Sequence, residues 1–136
     1  MKIYLLLMMS IFTISCNSVK QTEKSESNIK RIWMLVEFMD FRKKDLIAKR
    51  AFVDFSKEGT VSAMMGCNDI GYDCVIKDNN ALTFSKGIAT QMYCDEMKLE
   101  NEFTRVIELM SSFVIVGQKL TLTSNNGIKM VFVAQD

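Results

Sequence analysis

Beyond residue 28 the apolar positions of this chain recur mostly at every second residue, the period of a strand with one buried face. Residues 32–41 read as a first strand with Trp33 and Leu35 on one side. Met34, Val36 and Phe38 make the other side apolar as well, so cover on both faces is expected there. Residues 51–55 and 60–64 flank Ser56-Lys57-Glu58-Gly59 as a hairpin, and Val53 and Phe55 lie opposite Asp54. Tyr72, Cys74 and Ile76 share a face ahead of a turn at 77–80, and residues 82–84 form a short strand. The period then changes: Leu99, Phe103, Val106, Ile107 and Met110 recur at three- and four-residue spacings, the stripe of an amphipathic helix between Asp95 and Ser111. Asp95 reads as its N-cap, while Glu100, Glu102 and Arg105 fall off the stripe and are expected in solvent. Strands return at 113–116 and 120–123 around Gly117-Gln118-Lys119, and Asn126-Gly127 is a type I′ turn signal before a last strand at 128–132. About seven strands and one principal helix must share one core. The pattern predicts an α+β domain: a small, strongly curved or barrel-like antiparallel sheet with the helix packed against it.

The first residues follow another rule. Lys2 precedes an apolar run from Ile3 to Ile14, too short to cross a hydrocarbon core of roughly 30 Å with margin but suited to a secretory leader. Thr13-Ile14-Ser15-Cys16 resembles the bacterial lipobox, with Thr13 in place of the usual Leu. Residues 1–15 are therefore expected to be a lipoprotein signal peptide, and Cys16 the site of lipid attachment, where two or more acyl chains anchor firmly. Residues 16–28 are nearly devoid of apolar side chains and read as a flexible tether. Asn17, which is not Asp, favours an outer-membrane location facing the periplasm. The folded domain is assigned to residues 29–136.

Composition narrows the chemistry. The 136 residues suit a single domain, and 49% hydrophobic with 24% charged residues is ordinary for a globule. Seventeen basic residues face sixteen acidic ones, and loss of Lys2 with the leader would make them equal. A nucleic-acid partner, which needs excess positive charge, is not expected. Arg42-Lys43-Lys44 and Lys49-Arg50 read as solvated loop charge. The absence of histidine removes Ser-His-Asp and Cys-His arrangements and the commonest general base near neutral pH. No Gly-rich phosphate loop precedes a lysine, and no close cysteine pair with histidines suggests zinc. The expected protein is not an enzyme and carries no cofactor or metal.

Gly66-Cys67-Asn68 with Gly71-Tyr72, Thr90 with Cys94 ahead of the helix, and Gly117 with Leu120 and Leu122 form an ordered set of motifs. With Trp33 and Leu35 in the opening strand, they span roughly residues 32–132. The set resembles the META domain, or HslJ-like heat-shock lipoprotein family. The resemblance implies a META-type α+β fold in an envelope lipoprotein or periplasmic protein. It also implies links to heat shock and, in some bacteria, to novobiocin resistance. No enzymatic activity or cofactor belongs to the family as a class, and fold alone supplies none. The expected role is an interaction or structural module supporting envelope integrity under stress, held to the membrane through lipidated Cys16 with unknown envelope partners. The alternative is a periplasm-facing binder of a small molecule or peptide, using a cleft near the loop from Gly66 to Tyr72 and the segment before Cys94.

The motif residues have structural readings. Gly66 and Gly71 would bracket a tight connection. Asn68 would close an Asx-type turn two residues on, and Trp33 and Tyr72 would be core aromatics with hydrogen-bonded polar tips. With Cys16 assigned to lipid, Cys67, Cys74 and Cys94 remain in an oxidising compartment, an odd number that allows one internal bridge. The resemblance favours Cys67 with Cys94, closing a loop of about 27 residues worth about 3 kcal/mol and leaving Cys74 as a buried thiol. Cys67 with Cys74 is the competing pair.

Overall fold

A computed structural model describes residues 28–135. The expected leader, Cys16 and nearly all of the tether lie outside them. Strands are β1 (Ile32–Phe38), β2 (Phe52–Asp54), β3 (Thr60–Met64), β4 (Asp69–Lys77), β5 (Ala81–Phe84), β6 (Ile88–Ala89), β7 (Met110–Val116), β8 (Lys119–Ser124) and β9 (Lys129–Ala134). Helix α1 (Lys43–Ala48) follows β1, and α2 (Lys98–Ile107) precedes β7. Neighbouring strands run β3-β2-β1-β9-β8-β7-β5-β4, all antiparallel, and the β3–β4 pairing closes the ring. The expected curved sheet is thus a closed eight-stranded barrel, with β6 as an extra strand on β4. Closure removes the exposed edges that an open sheet of this size would carry.

The alternation that suggested strands sorts side chains between barrel interior and outer wall. Along β4, Ile70, Tyr72 and Cys74 are buried while Asp69, Gly71, Asp73 and Val75 are exposed. β1 departs from strict alternation. A register shift between Leu35 and Glu37 turns Phe38 inward with Trp33 and Leu35, and leaves Met34 and Val36 half-buried outside. The bulge accounts for Phe38, while Met34 and Val36 stay on the outer wall with partial cover. The Trp33 indole donates to the Ile29 carbonyl at 2.8 Å, and the Arg31 guanidinium lies 5.7 Å from its ring centre.

Several local expectations change. Lys43 and Lys44 open α1 rather than sitting in a loop. The Arg42 guanidinium bonds the Asp45 carboxylate at 2.7 and 3.2 Å, and Leu46 is buried. α2 begins at Lys98 with Met97 at the N-cap position and no side-chain cap, so Asp95 does not cap it. At the last hairpin the Gly127 N–H donates to Ser124 O at 3.0 Å and Ser124 N–H to Ile128 O at 2.9 Å. Gly127 has φ +86° while Asn126 is not in the left-handed region, so this is a three-residue loop rather than a type I′ turn. Gly117, at φ +60°, makes the two-residue turn between β7 and β8 as expected.

Antiparallel closure gathers the loops at two ends. Residues 28–31, 55–59, 78–80 and 117–118 lie at the end where the chain enters. α1, residues 65–68, residues 85–97 and α2 lie toward the other. Leu99, Phe103, Val106 and Ile107 of α2 join the strand side chains in one hydrophobic cluster, so the helix completes the core that the strands enclose. Among the described residues this cluster runs from Ile29 to Phe132, drawing on the barrel strands and on both helices. Replacing Trp33 by Phe removes the indole donor and leaves part of the larger ring's space unfilled. A loss of about 2–4 kcal/mol is expected in urea denaturation, and an unchanged midpoint would mean that neither the Ile29 contact nor the ring's packing contributes.

Candidate functional site

Two connections meet at the helix-bearing end: residues 65–68, from β3 to β4, and residues 90–97, from β6 to α2. Gly66 lets the first make its bend. Its φ is +104°, and an added Cβ would come within 3.2 Å of Lys49 Cβ and Cγ. Gly71 does not share that role; it lies inside β4 without a positive φ. Cys67 is bonded to Cys94, the pairing that the family resemblance favoured, and Cys74 is a free, buried thiol.

Asn68 works across the gap rather than in a local turn. Its Oδ1 accepts from Met92 N–H at 2.7 Å and from the Thr90 hydroxyl at 2.9 Å. Its Nδ2 donates to Glu100 Oε1 at 2.7 Å and to Met92 O at 3.2 Å, and its backbone N–H donates to Glu100 Oε2 at 2.7 Å. Thr90 Oγ1 also accepts from Asp69 N–H at 3.2 Å, and Thr90 N–H donates to Asp69 O at 3.0 Å. Glu100, expected in solvent, is 5% exposed. The reason is electrostatic: in the first turn of α2 its carboxylate meets the positive end of the helix dipole, and both oxygens receive strong N–H donors. Helical periodicity could not reveal this, because the partner lies 32 residues away.

Tyr72 points into the core, edge-on to Phe84 and Phe103. Its hydroxyl is buried without a partner in hydrogen-bonding geometry, contrary to the expected bonded tip. Burial pushes this phenol up to about 12, the nearby Thr104 hydroxyl pulling only partly the other way, and burial pushes the Cys74 thiol up to about 12 as well. Gly87, which no motif marked, is required here: a Cβ would stand 2.6 Å from Tyr72 Cε1.

The Asn68 contacts tie residues 65–68 to residues 90–92. A groove of about 580 Å³ lies on the outer wall over Gly71, between β3 and residues 85–88, so it touches the Gly71-Tyr72 end of the expected loop. A second cavity of about 540 Å³ separates α1 from the start of α2, and its charges neutralise one another: Lys49 lies 3.6 Å from Glu96, and Lys98 3.9 Å from Asp40.

A small closed antiparallel barrel, completed by one helix and pinned by a cystine beside a buried Asn–Glu pair, defines the class of protein. The META domain family model matches residues 27–136, and the chain belongs to that family. Among solved structures, a protein from Burkholderia xenovorans superposes with a TM-score of 0.68 at 14% identity, covering 97% of this chain and 99% of that one. A DUF4847 family protein from Bacteroides vulgatus gives 0.59 at 12% identity, covering 79% and 96%. At these identities the likeness shows the fold alone. No curated protein matches the chain.

Converting Glu100 to Gln places an amide donor opposite an Asn68 donor, and Asn68 cannot flip without failing Thr90 and Met92. A loss of about 2–4 kcal/mol is expected for Glu100→Gln by urea denaturation of the oxidised protein; a loss below about 0.5 kcal/mol would mean the pair is dispensable. The raised acids set an alkaline limit. The unfolded chain ionises Cys74 near about 8.5 and Tyr72 near about 10, where the folded protein keeps both protons. Their contribution is therefore complete below about pH 8 and is lost as pH rises toward about 12. Tyr72→Phe should flatten that decline in a pH series of thermal melts, and an unaltered slope would remove Tyr72 from the account.

Proposed function

We propose that this META domain is a lipid-anchored envelope module that works by binding rather than by catalysis. The observation that carries the reading is the Cys67–Cys94 bond at the centre of the pinned end. A structural cystine needs an oxidising compartment, which agrees with an exported chain whose lipobox-like Thr13-Ile14-Ser15-Cys16 hands the leader's role to an acylated cysteine. Among the described residues no helix is long and apolar enough to cross a membrane. The chain enters the barrel opposite the helix-bearing end, so an anchor at Cys16 would leave that end free to turn away from the lipid. The absence of histidine, a Cys74 thiol too weakly acidic to act as a nucleophile, and a Glu100 committed to Asn68 all favour a non-enzymatic role. Support of envelope integrity under heat or chemical stress, at the periplasmic face of the outer membrane, is the setting we assign.

Mass spectrometry of the membrane fraction is expected to find a mature N-terminus at Cys16 bearing two or three acyl chains. Cys16→Ser should remain uncleaved at that position and lack acyl mass; a native protein retaining residues 1–15 would overturn the proposal.

A further inference from the structure

The groove over Gly71 carries features the fold does not need. Glycine weakens a strand interior and is kept where a bulge, a tight bend or a close approach requires it. Gly71 has no positive φ, and a Cβ built on it would meet nothing nearer than the Ile88 carbonyl at 3.9 Å. Neither backbone nor internal packing calls for a glycine there. What a side chain would occupy is the groove itself.

The walls are fixed in advance. Register places Ser62, Gly71 and Ile88 side by side on β3, β4 and β6. Residues 85–87 are held by Ser85 N–H to Asp73 O at 2.9 Å, Asp73 N–H to Ser85 Oγ at 2.9 Å, and Gly87 N–H to Glu108 Oε1 at 3.3 Å. Ile88 stands on this wall 82% exposed, an apolar side chain held in water by a rigid backbone. Lys57, Lys86 and Asp73 also line the groove, and none of their side-chain charged groups has a hydrogen-bond or ion-pair partner among the described residues. Asp54 adds a second carboxylate, one oxygen accepting from Ser56 N–H at 2.8 Å. The second cavity, of similar volume, satisfies its charges internally; this one does not.

A volume of about 580 Å³ lies within the range of small-ligand sites. Two ammonium groups and two carboxylates around a bare floor and one apolar wall do not suit a simple anion, which the carboxylates would repel, nor a wholly apolar ligand. We infer that the groove binds a short extended peptide in which an apolar residue sits between side chains of opposite charge. The apolar side chain packs on Ile88 over Gly71, an acidic side chain meets Lys57 or Lys86, and a basic one meets Asp73 or Asp54. Because the wall is ordered before binding, little entropy is lost in forming the site. This deepens the proposed binding role by naming its ligand class, and it does not depend on the lipid anchor.

The test uses 15N-labelled protein spanning residues 27–136, the stretch the family model matches, with retention of the Cys67–Cys94 bond and a dispersed amide spectrum as the check that it folds. Capped tripeptides with a central Leu, Val or Phe and opposite charges at the flanking positions, in both orders, are titrated and followed in amide spectra. Saturable shifts are expected at Ser62, Gly71, Asp73 and Lys86. Gly71→Val, with space for its side chain and a strand-compatible backbone, should fold with unchanged spectral dispersion and lose those shifts. Lys57→Gln with Lys86→Gln should weaken binding of the same peptides by about tenfold or more. The inference is overturned if no peptide of the set gives saturable shifts, if Gly71→Val binds equally well, or if inorganic phosphate alone reproduces the pattern. Such an outcome leaves anchoring at Cys16 untouched, because the domain tested lacks that cysteine.

Discussion

The Asn68 side chain holds together an end of the barrel that apolar packing alone would leave loose. Residues 90–97 must cross from the outer wall to the start of α2, yet Met92 and Tyr93 in the middle of that connection are exposed. With little burial of their own, these residues have no hydrophobic means of offsetting the entropy of a fixed backbone. Order comes from two fasteners on adjacent residues: the covalent bond of Cys67 to Cys94, and the Asn68 amide gripping Met92, Thr90 and Glu100. Only an amide serves here, because the site needs two acceptor contacts on one side and two donor contacts on the other. A carboxylate would face Glu100 with like charge.

This arrangement sets the cystine beside the contacts that seat α2. Glu100 is buried as a carboxylate because Asn68 meets both its oxygens and the helix terminus favours its charge. Asn68 in turn is held by its neighbour's bond across the gap. The cystine lies at the junction of two loops and the principal helix, not between two strands that the barrel would align anyway. Its loop-closure contribution of about 3 kcal/mol falls where the remaining structure has least redundancy.

Sequence made the strands legible because outer and inner positions alternate along them, and α2 legible because its apolar stripe is long. It failed where a contact joins distant residues or where an element is short. Glu100 looked like a surface residue because helical periodicity compares positions only along the helix. Asn68 looked like a turn former because its partners stand 22 to 32 residues downstream. α1 went unread because six residues rich in charge give no measurable period, and the β1 bulge carried Phe38 to the inner face out of step with the alternation. The Cys67–Cys94 pair came from family resemblance; cysteine count alone left Cys74 as an equal candidate, and only the inward side of β4 removes it. Gly87 carried no signal at all, since its reason is the edge of a ring fifteen residues earlier in the chain.

β4 shows how the inside of the barrel shapes its outside. Its inward residues Ile70 and Tyr72 press against Gly87, where a Cβ would come within 3.1 and 2.6 Å of them. That contact draws residues 85–88 tightly onto the barrel, which sets the position of Ile88 and the width of the groove above Gly71. A bulkier residue at 87 would push this segment outward, widening the groove without altering any charged group that lines it. The two glycines act in opposite senses: at 87 the missing side chain lets two parts of the protein meet, and at 71 it keeps a surface clear. Core packing and outer recognition are thus joined through one strand, and a change in the buried Tyr72 ring would be felt at the exposed Ile88 wall.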